Sequence, residues 1–118
     1  MASKDYNPKV NFDLSVTIAV GQTVSDAIDL YGTTLVGFNT DANLTGTALT
    51  FQSSTTLTGT YVPIHNNSGA ISRTVTTSKN YNEASSDIFN ATRFLKIVSG
   101  TIQATNPTVI TLATKPVN

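Results

Sequence analysis

The sequence predicts an all-β fold: a single antiparallel β-sandwich, jelly-roll-like, of about eight strands, carrying an extended N-terminal arm. Three observations predict it. Threonine, serine and asparagine supply 43 of the 118 residues, whereas histidine occurs once and cysteine never. Short apolar segments alternate with polar residues at a period of two, between turns rich in Gly and Asn. No segment keeps helical spacing over a useful length. Thr is β-branched and fits a pleated strand, while Asn, Ser and Gly serve turns. A chain of this length fits one domain with a modest core that no disulfide supplements.

Residues 1–13 are polar, contain Pro8 and alternate in charge, so they read as an arm; 14–118 read as the sandwich. Leu14, Val16, Ile18 and Val20 alternate with small or polar residues, and Gly21 ends that strand. A short strand through Ala27-Ile28-Asp29-Leu30 stops at Tyr31-Gly32, and Leu35-Val36-Gly37-Phe38-Asn39 is the next. After a turn-rich stretch over 40–46 come a strand with Leu49 and Phe51 on one face, a polar loop over 54–60 and a strand over 61–64. His65-Asn66-Asn67-Ser68-Gly69 turns the chain. Segments over 71–76 and at Tyr81 read as weaker strands, and Asp87-Ile88-Phe89-Asn90 as one helical turn. Phe94–Ser99 and 109–113 complete the sandwich.

Charge and residue types narrow the function. Seven basic residues, scattered along the chain, balance seven acidic ones, so the stripe that phosphate-backbone binding requires is missing and no nucleic-acid partner is expected. Neutrality also weakens repulsion between copies and suits dense packing of identical subunits. The first residues lack the apolar segment of a signal peptide, and no apolar run approaches the ~20 residues of a membrane span, so no membrane partner is expected. Absent cysteine is compatible with assembly in a reducing cytoplasm. Three Asn-x-Ser/Thr triplets, at Asn43, Asn66 and Asn90, read as chance in so Asn- and Thr-rich a chain.

Catalysis would have to run through His65, the one imidazole, which follows a strand beside a turn where a surface His is ordinary. Asp26 and Asp29 lie three apart, and turn hydrogen bonds account for them better than a paired-carboxylate site. No catalytic residue, cofactor or metal is expected. The stretch Asn39-Thr40-Asp41-Ala42-Asn43 begins like a calcium loop, but Gly46 falls late and Thr50 stands where a closing Glu belongs. Tyr31, Tyr61 and Tyr81 with Asn66, Asn67 and Asn80 could present a carbohydrate surface, although a Trp platform is missing.

Several segments resemble those of a family of small phage and prophage virion structural proteins. Leu35-Val36-Gly37-Phe38 is similar to its Leu-Val-Gly strand. Leu49-Thr50-Phe51-Gln52-Ser53-Ser54 is similar to its Leu-Thr-Phe-Gln-x-Ser strand. Arg93-Phe94-Leu95-Lys96-Ile97-Val98-Ser99-Gly100-Thr101 is similar to its Arg-aromatic-Leu-Lys strand ending in Ser-Gly-Thr. Ala27-Ile28-Asp29-Leu30-Tyr31-Gly32 and Ile110-Thr111-Leu112 fit an early and the final strand. The likeness spans roughly residues 24–114. It departs from the family at 40–45, where members carry Pro and Trp, and at 55–59, where they carry a shorter Asp-Gly turn; partner contacts are expected to differ there.

The resemblance implies a head decoration or cement protein on the capsid surface, assembled in the host cytoplasm, with the major capsid protein as partner. Homo-oligomerisation is expected, a trimer before a dimer, because a threefold arrangement suits an icosahedral lattice. The expected contact residues are Tyr6, Pro8, Val10 and Phe12 of the arm, apolar or aromatic at alternate positions, together with Asp41, Asn43 and Thr45. The rival expectations are a tail or fibre module that recognises host glycans, and a head–tail connector accessory.

Overall fold

The computed structural model describes residues 10–83 and 86–116, with only the backbone at Ser86 and Asp87. The long strands are β1 (Asn11–Ile18), β3 (Thr33–Asn39), β4 (Ala48–Ser54), β10 (Phe94–Ser99) and β11 (Thr108–Pro116). Shorter ones are β2 (Ile28–Asp29), β5 (Val62–Pro63), β6 (His65–Asn66), β7 (Gly69–Ala70), β8 (Ser72–Thr74) and β9 (Asn80–Asn82). A 3₁₀ turn covers Ser86–Phe89, where the sequence suggested one helical turn.

The chain is an all-β antiparallel sandwich. One sheet has the order β1-β11-β3-β9 and the other β2-β10-β4-β5, with β8 also on β4. Chain neighbours such as β1 and β2, β3 and β4, or β10 and β11 lie in opposite sheets, which is jelly-roll wiring. β5 and β8 occupy one strand position. Both pair with the same edge of β4, Gln52 facing Pro63 and Thr50 facing Ser72, and Ile71 N–H donates to the Ile64 carbonyl at 2.9 Å. The β6–β7 hairpin is thus an insertion into an edge strand. Those two-residue pieces explain why eleven strand segments stand among the described residues where about eight were expected.

Burial follows the period of two. In β10, Leu95 and Ile97 are buried while Phe94, Lys96 and Val98 face outward; in β4, Leu49 and Phe51 are buried. Val16, Ile18, Leu35, Phe38, Ile110 and Leu112 meet them from the other sheet. Phe51 sits between Phe38 (centroids 6.0 Å apart) and Phe89 (5.1 Å, edge-on). Full burial of each ring is worth about 1.5–3 kcal/mol, so this aromatic row contributes much of the adhesion between the sheets. Gly37 is required by close approach: a Cβ there would lie 2.5 Å from the Tyr81 carbonyl oxygen and would break the β3–β9 pairing.

β1 begins at Asn11, so its first three residues fall within the segment read from sequence as arm. Asn11 pairs with Thr114 before the register shifts between Asn11 and Leu14. The alternation had pointed to Leu14 because this irregularity breaks the inward–outward rhythm ahead of it. The outer edge of β1 is also guarded. Asp26 donates its N–H to the Thr17 carbonyl (3.1 Å) and accepts the Thr17 N–H on its carboxylate (2.8 Å).

Candidate interaction surfaces

Val10 precedes β1 and Phe12 is its second residue, and Phe12 remains 49% exposed. Beside them lie Ala113 and Lys115 of β11, Val36 of β3, and Asn82 and Glu83 at the end of β9. β3 and β11 slip register here, Ala113 facing Gly37 but Thr114 facing Leu35, so Val36 is an extra residue, bulged on the outer side. The result is an open groove of about 540 Å³ with an apolar floor and a charged rim. Glu83 is fixed on that rim. Its side chain is 3% exposed and accepts hydrogen bonds from Arg73 Nε at 3.0 and 3.1 Å, crossing from one sheet to the other. That bonding raises the Arg73 pKa above its ordinary value. Tyr6 and Pro8, the other expected contact residues of this segment, lie outside the described residues.

Asp41, Asn43 and Thr45 sit at the opposite end of the sandwich and are largely committed to holding it together. Asp41 accepts hydrogen bonds from the Thr108 hydroxyl, from Val109 N–H (2.9 Å) and from Asn43 N–H (3.0 Å), so its carboxylate ties the 40–46 loop to the start of β11. The one carboxylate of the calcium-like stretch thus binds backbone and a hydroxyl. Among the described residues no cluster of His, Cys, Asp or Glu could hold a metal ion. Thr45 N–H donates to Gln103 Oε1 (2.8 Å), and Gln103 Nε2 donates to the carbonyls of Thr45 (2.9 Å) and Thr101 (3.2 Å). Gln103 backbone also joins Gly21 and Gln22, which makes this buried amide the knot of three loops. Leu44 is buried, and Asn43 stays exposed. Sequence reading singled out the loop and missed Gln103, whose polar neighbourhood gives no apolar signal.

Among the described residues, Val10 and Phe12 therefore do not converge with Asp41, Asn43 and Thr45. β1 spans eight residues between the two ends, which separates them by roughly 20 Å.

The remaining candidates separate as well. His65 is exposed on the inserted hairpin, its Nδ1 3.3 Å from the Pro63 carbonyl oxygen. The Tyr81 ring stacks on Phe38 at 5.3 Å, and its hydroxyl accepts Thr76 N–H. The Tyr61 hydroxyl donates to the Leu57 carbonyl, and Lys96 Nζ lies 4.5 Å from its ring centroid. Burial, and to a lesser degree the Asp29 charge, raises the Tyr61 pKa. Asp29 pairs with Arg93 through two 3.1 Å bonds and accepts Tyr31 N–H at 2.8 Å. The Arg93 bonds in turn lower the Asp29 pKa. Among the described residues no helix is long and apolar enough to cross a membrane.

No family model, curated protein or solved structure matches the chain.

Proposed function

We propose that this chain is a phage virion structural protein, a capsid decoration or cement protein that stabilises the head by bridging major capsid protein subunits. The observation that supports the proposal is that Val10 and Phe12 lie at one end of the β1–β11 ribbon and the exposed Asn43 at the other, roughly 20 Å apart. A bridge needs two separated contacts on a rigid body. The groove beside Val10 and Phe12 offers an apolar contact at one end, and the exposed Asn43 a polar one at the other.

The segments that resemble the virion family support the reading. They fall on β2, β3, β4, β10 and β11, which come from both sheets. Zero net charge lets many copies pack without mutual repulsion, and clustering of copies by oligomerisation would multiply weak single contacts.

The test is to express the tagged chain in cells producing its cognate particles and sediment the heads. The expected outcome is co-sedimentation with intact heads in many copies, above the about a dozen or fewer of a symmetric tail or neck ring. Removing residues 2–9, which leaves β1 whole, is expected to weaken head binding with the sandwich still folded. Full binding by the shortened chain would remove the arm from the account, and absence from purified heads would overturn the proposal.

A further inference from the structure

Tyr31 occupies a place that sterics reserve for other residues. Leu30-Tyr31-Gly32-Thr33 is a tight turn closed by Thr33 N–H on the Leu30 carbonyl (3.0 Å), with positive φ at both central residues, 54° for Tyr31 and 76° for Gly32. Gly, Asn and Asp are the usual occupants of such a position, because a bulky side chain there is strained. Packing does not compensate for the strain, since Tyr31 is 71% exposed. A ring held at a cost and left in solvent is a reason to look for a ligand.

Its surroundings supply the rest of a subsite. Asp29 anchors the Tyr31 N–H and is clamped by Nε and Nη2 of Arg93, so a planar carboxylate–guanidinium pair stands beside the turn with Nη1 outside the pair. Arg93 also lies 5.0 Å from the centroid of the Phe94 ring, which further fixes the guanidinium. Between the turn and loop 90–93 is a shallow pocket of about 280 Å³ lined by Gly32, Thr33, Asn90, Ala91, Thr92 and Arg93. An exposed ring, the planar Asp29–Arg93 hydrogen-bonding edge and a shallow, largely apolar recess suit a pyranose, which carries both C–H faces and hydroxyls. Its axial C–H face stacks on an aromatic ring, and its hydroxyls bond to groups that are already oriented. The two charges of the Asp29–Arg93 pair cancel, which favours a neutral ligand over an ionic one.

We infer that the Tyr31-Gly32 turn and loop 90–93 form a binding subsite for a neutral hexopyranose unit of a glycan. The inference rests on different residues from the bridging proposal and stands without it.

The test is amide chemical-shift titration of the full chain with glucose, galactose, mannose and N-acetylglucosamine, alongside glucuronic and sialic acid. At least one neutral sugar is expected to give saturable shifts centred on residues 31–33 and 90–93. Tyr31→Gly relieves the strained φ and is expected to keep the rest of the spectrum while weakening binding about tenfold or more. Tyr31→Phe keeps the ring and is expected to retain binding. No saturable shift with any neutral sugar, a response to the acidic sugars alone, or unchanged binding by Tyr31→Gly would each overturn the inference. Head binding by Tyr31→Gly is expected to match the parent chain, which separates this site from the bridging contacts.

Discussion

The end of the sandwich around Asp41, Thr45 and Gln103 and the end around Val10, Phe12 and Val36 are built on the same strand pair by opposite means. At the first, three loops are tied by a buried amide and a carboxylate, and Leu44 closes the packing. At the second, a bulge turns Val36 outward, Phe12 is half exposed, and apolar surface is left uncovered. The difference shows how a Thr- and Asn-rich chain divides its labour. Hydrogen bonds stiffen the end where loops meet, although Val20, Ile102 and Val109 stay exposed beside it. The open end leaves Val10 and Phe12 uncovered beside a groove with no comparable knot.

The largest effect should come from breaking the tied end. Gln103→Leu keeps the side-chain bulk but strands the N–H of Thr45 and leaves its carbonyl with the Ser99 hydroxyl alone, and is expected to cost about 2–4 kcal/mol in urea-induced unfolding. Equal stability of the variant would mean that the loops hold without their knot.

A smaller effect is expected at the open end. Phe12→Ser should change stability by less than about 1 kcal/mol, because half of the ring is already in water, yet it should weaken head binding. A loss of stability as large as that of Gln103→Leu would erase the distinction between the two ends.

The smallest effect is the acid response of Asp29. Its folded pKa is lowered below the ordinary 3.8, chiefly by the Arg93 hydrogen bonds. The pair therefore contributes fully above that ordinary value, and the contribution is lost as pH falls through the lowered one. A carboxyl NMR titration should place the Asp29 midpoint below the ordinary value, and Arg93→Gln should return it upward. An Asp29 midpoint that ignores the Arg93 change would show that the pair is not formed in solution.

Much of the sandwich was legible in the residues because strands announce themselves locally. Leu95 and Ile97, or Leu49 and Phe51, lie two apart and share a face whatever the partner strand. Phe94–Ser99 was read to the residue. The glycine in Leu35-Val36-Gly37-Phe38 and the Ser-Gly-Thr ending at Thr101 turn out to have packing reasons. Gly37 admits the Tyr81 carbonyl, and the Ser99 hydroxyl bonds Thr101 and Gln103 beside the loop knot. The start of β1 and the insertion within the β5–β8 position were not legible, since a bulge and an interrupted strand break the alternation that sequence reading depends on.

The candidate surfaces were legible only in part. Val10 and Phe12 were singled out by alternate apolar spacing, but nothing in the sequence places Val36, Ala113 and Glu83 beside them. Asp41 was noticed for its spacing and Asp29 as one of a carboxylate pair, while each also has a partner more than sixty residues away, Val109 and Arg93 respectively. Tyr31 looked like one of three equivalent tyrosines until the turn conformation set it apart.

The sequence by itself determined a neutral, Thr-rich antiparallel β-protein with its strands in order, because side-chain alternation and turn chemistry act over a few residues. Tertiary structure alone decided which loops meet at Gln103, where the register slips to expose Val36, and which tyrosine remains uncovered. Those outcomes depend on contacts between strands far apart in the chain, and in a jelly roll the strand beside a given strand is seldom its neighbour in sequence.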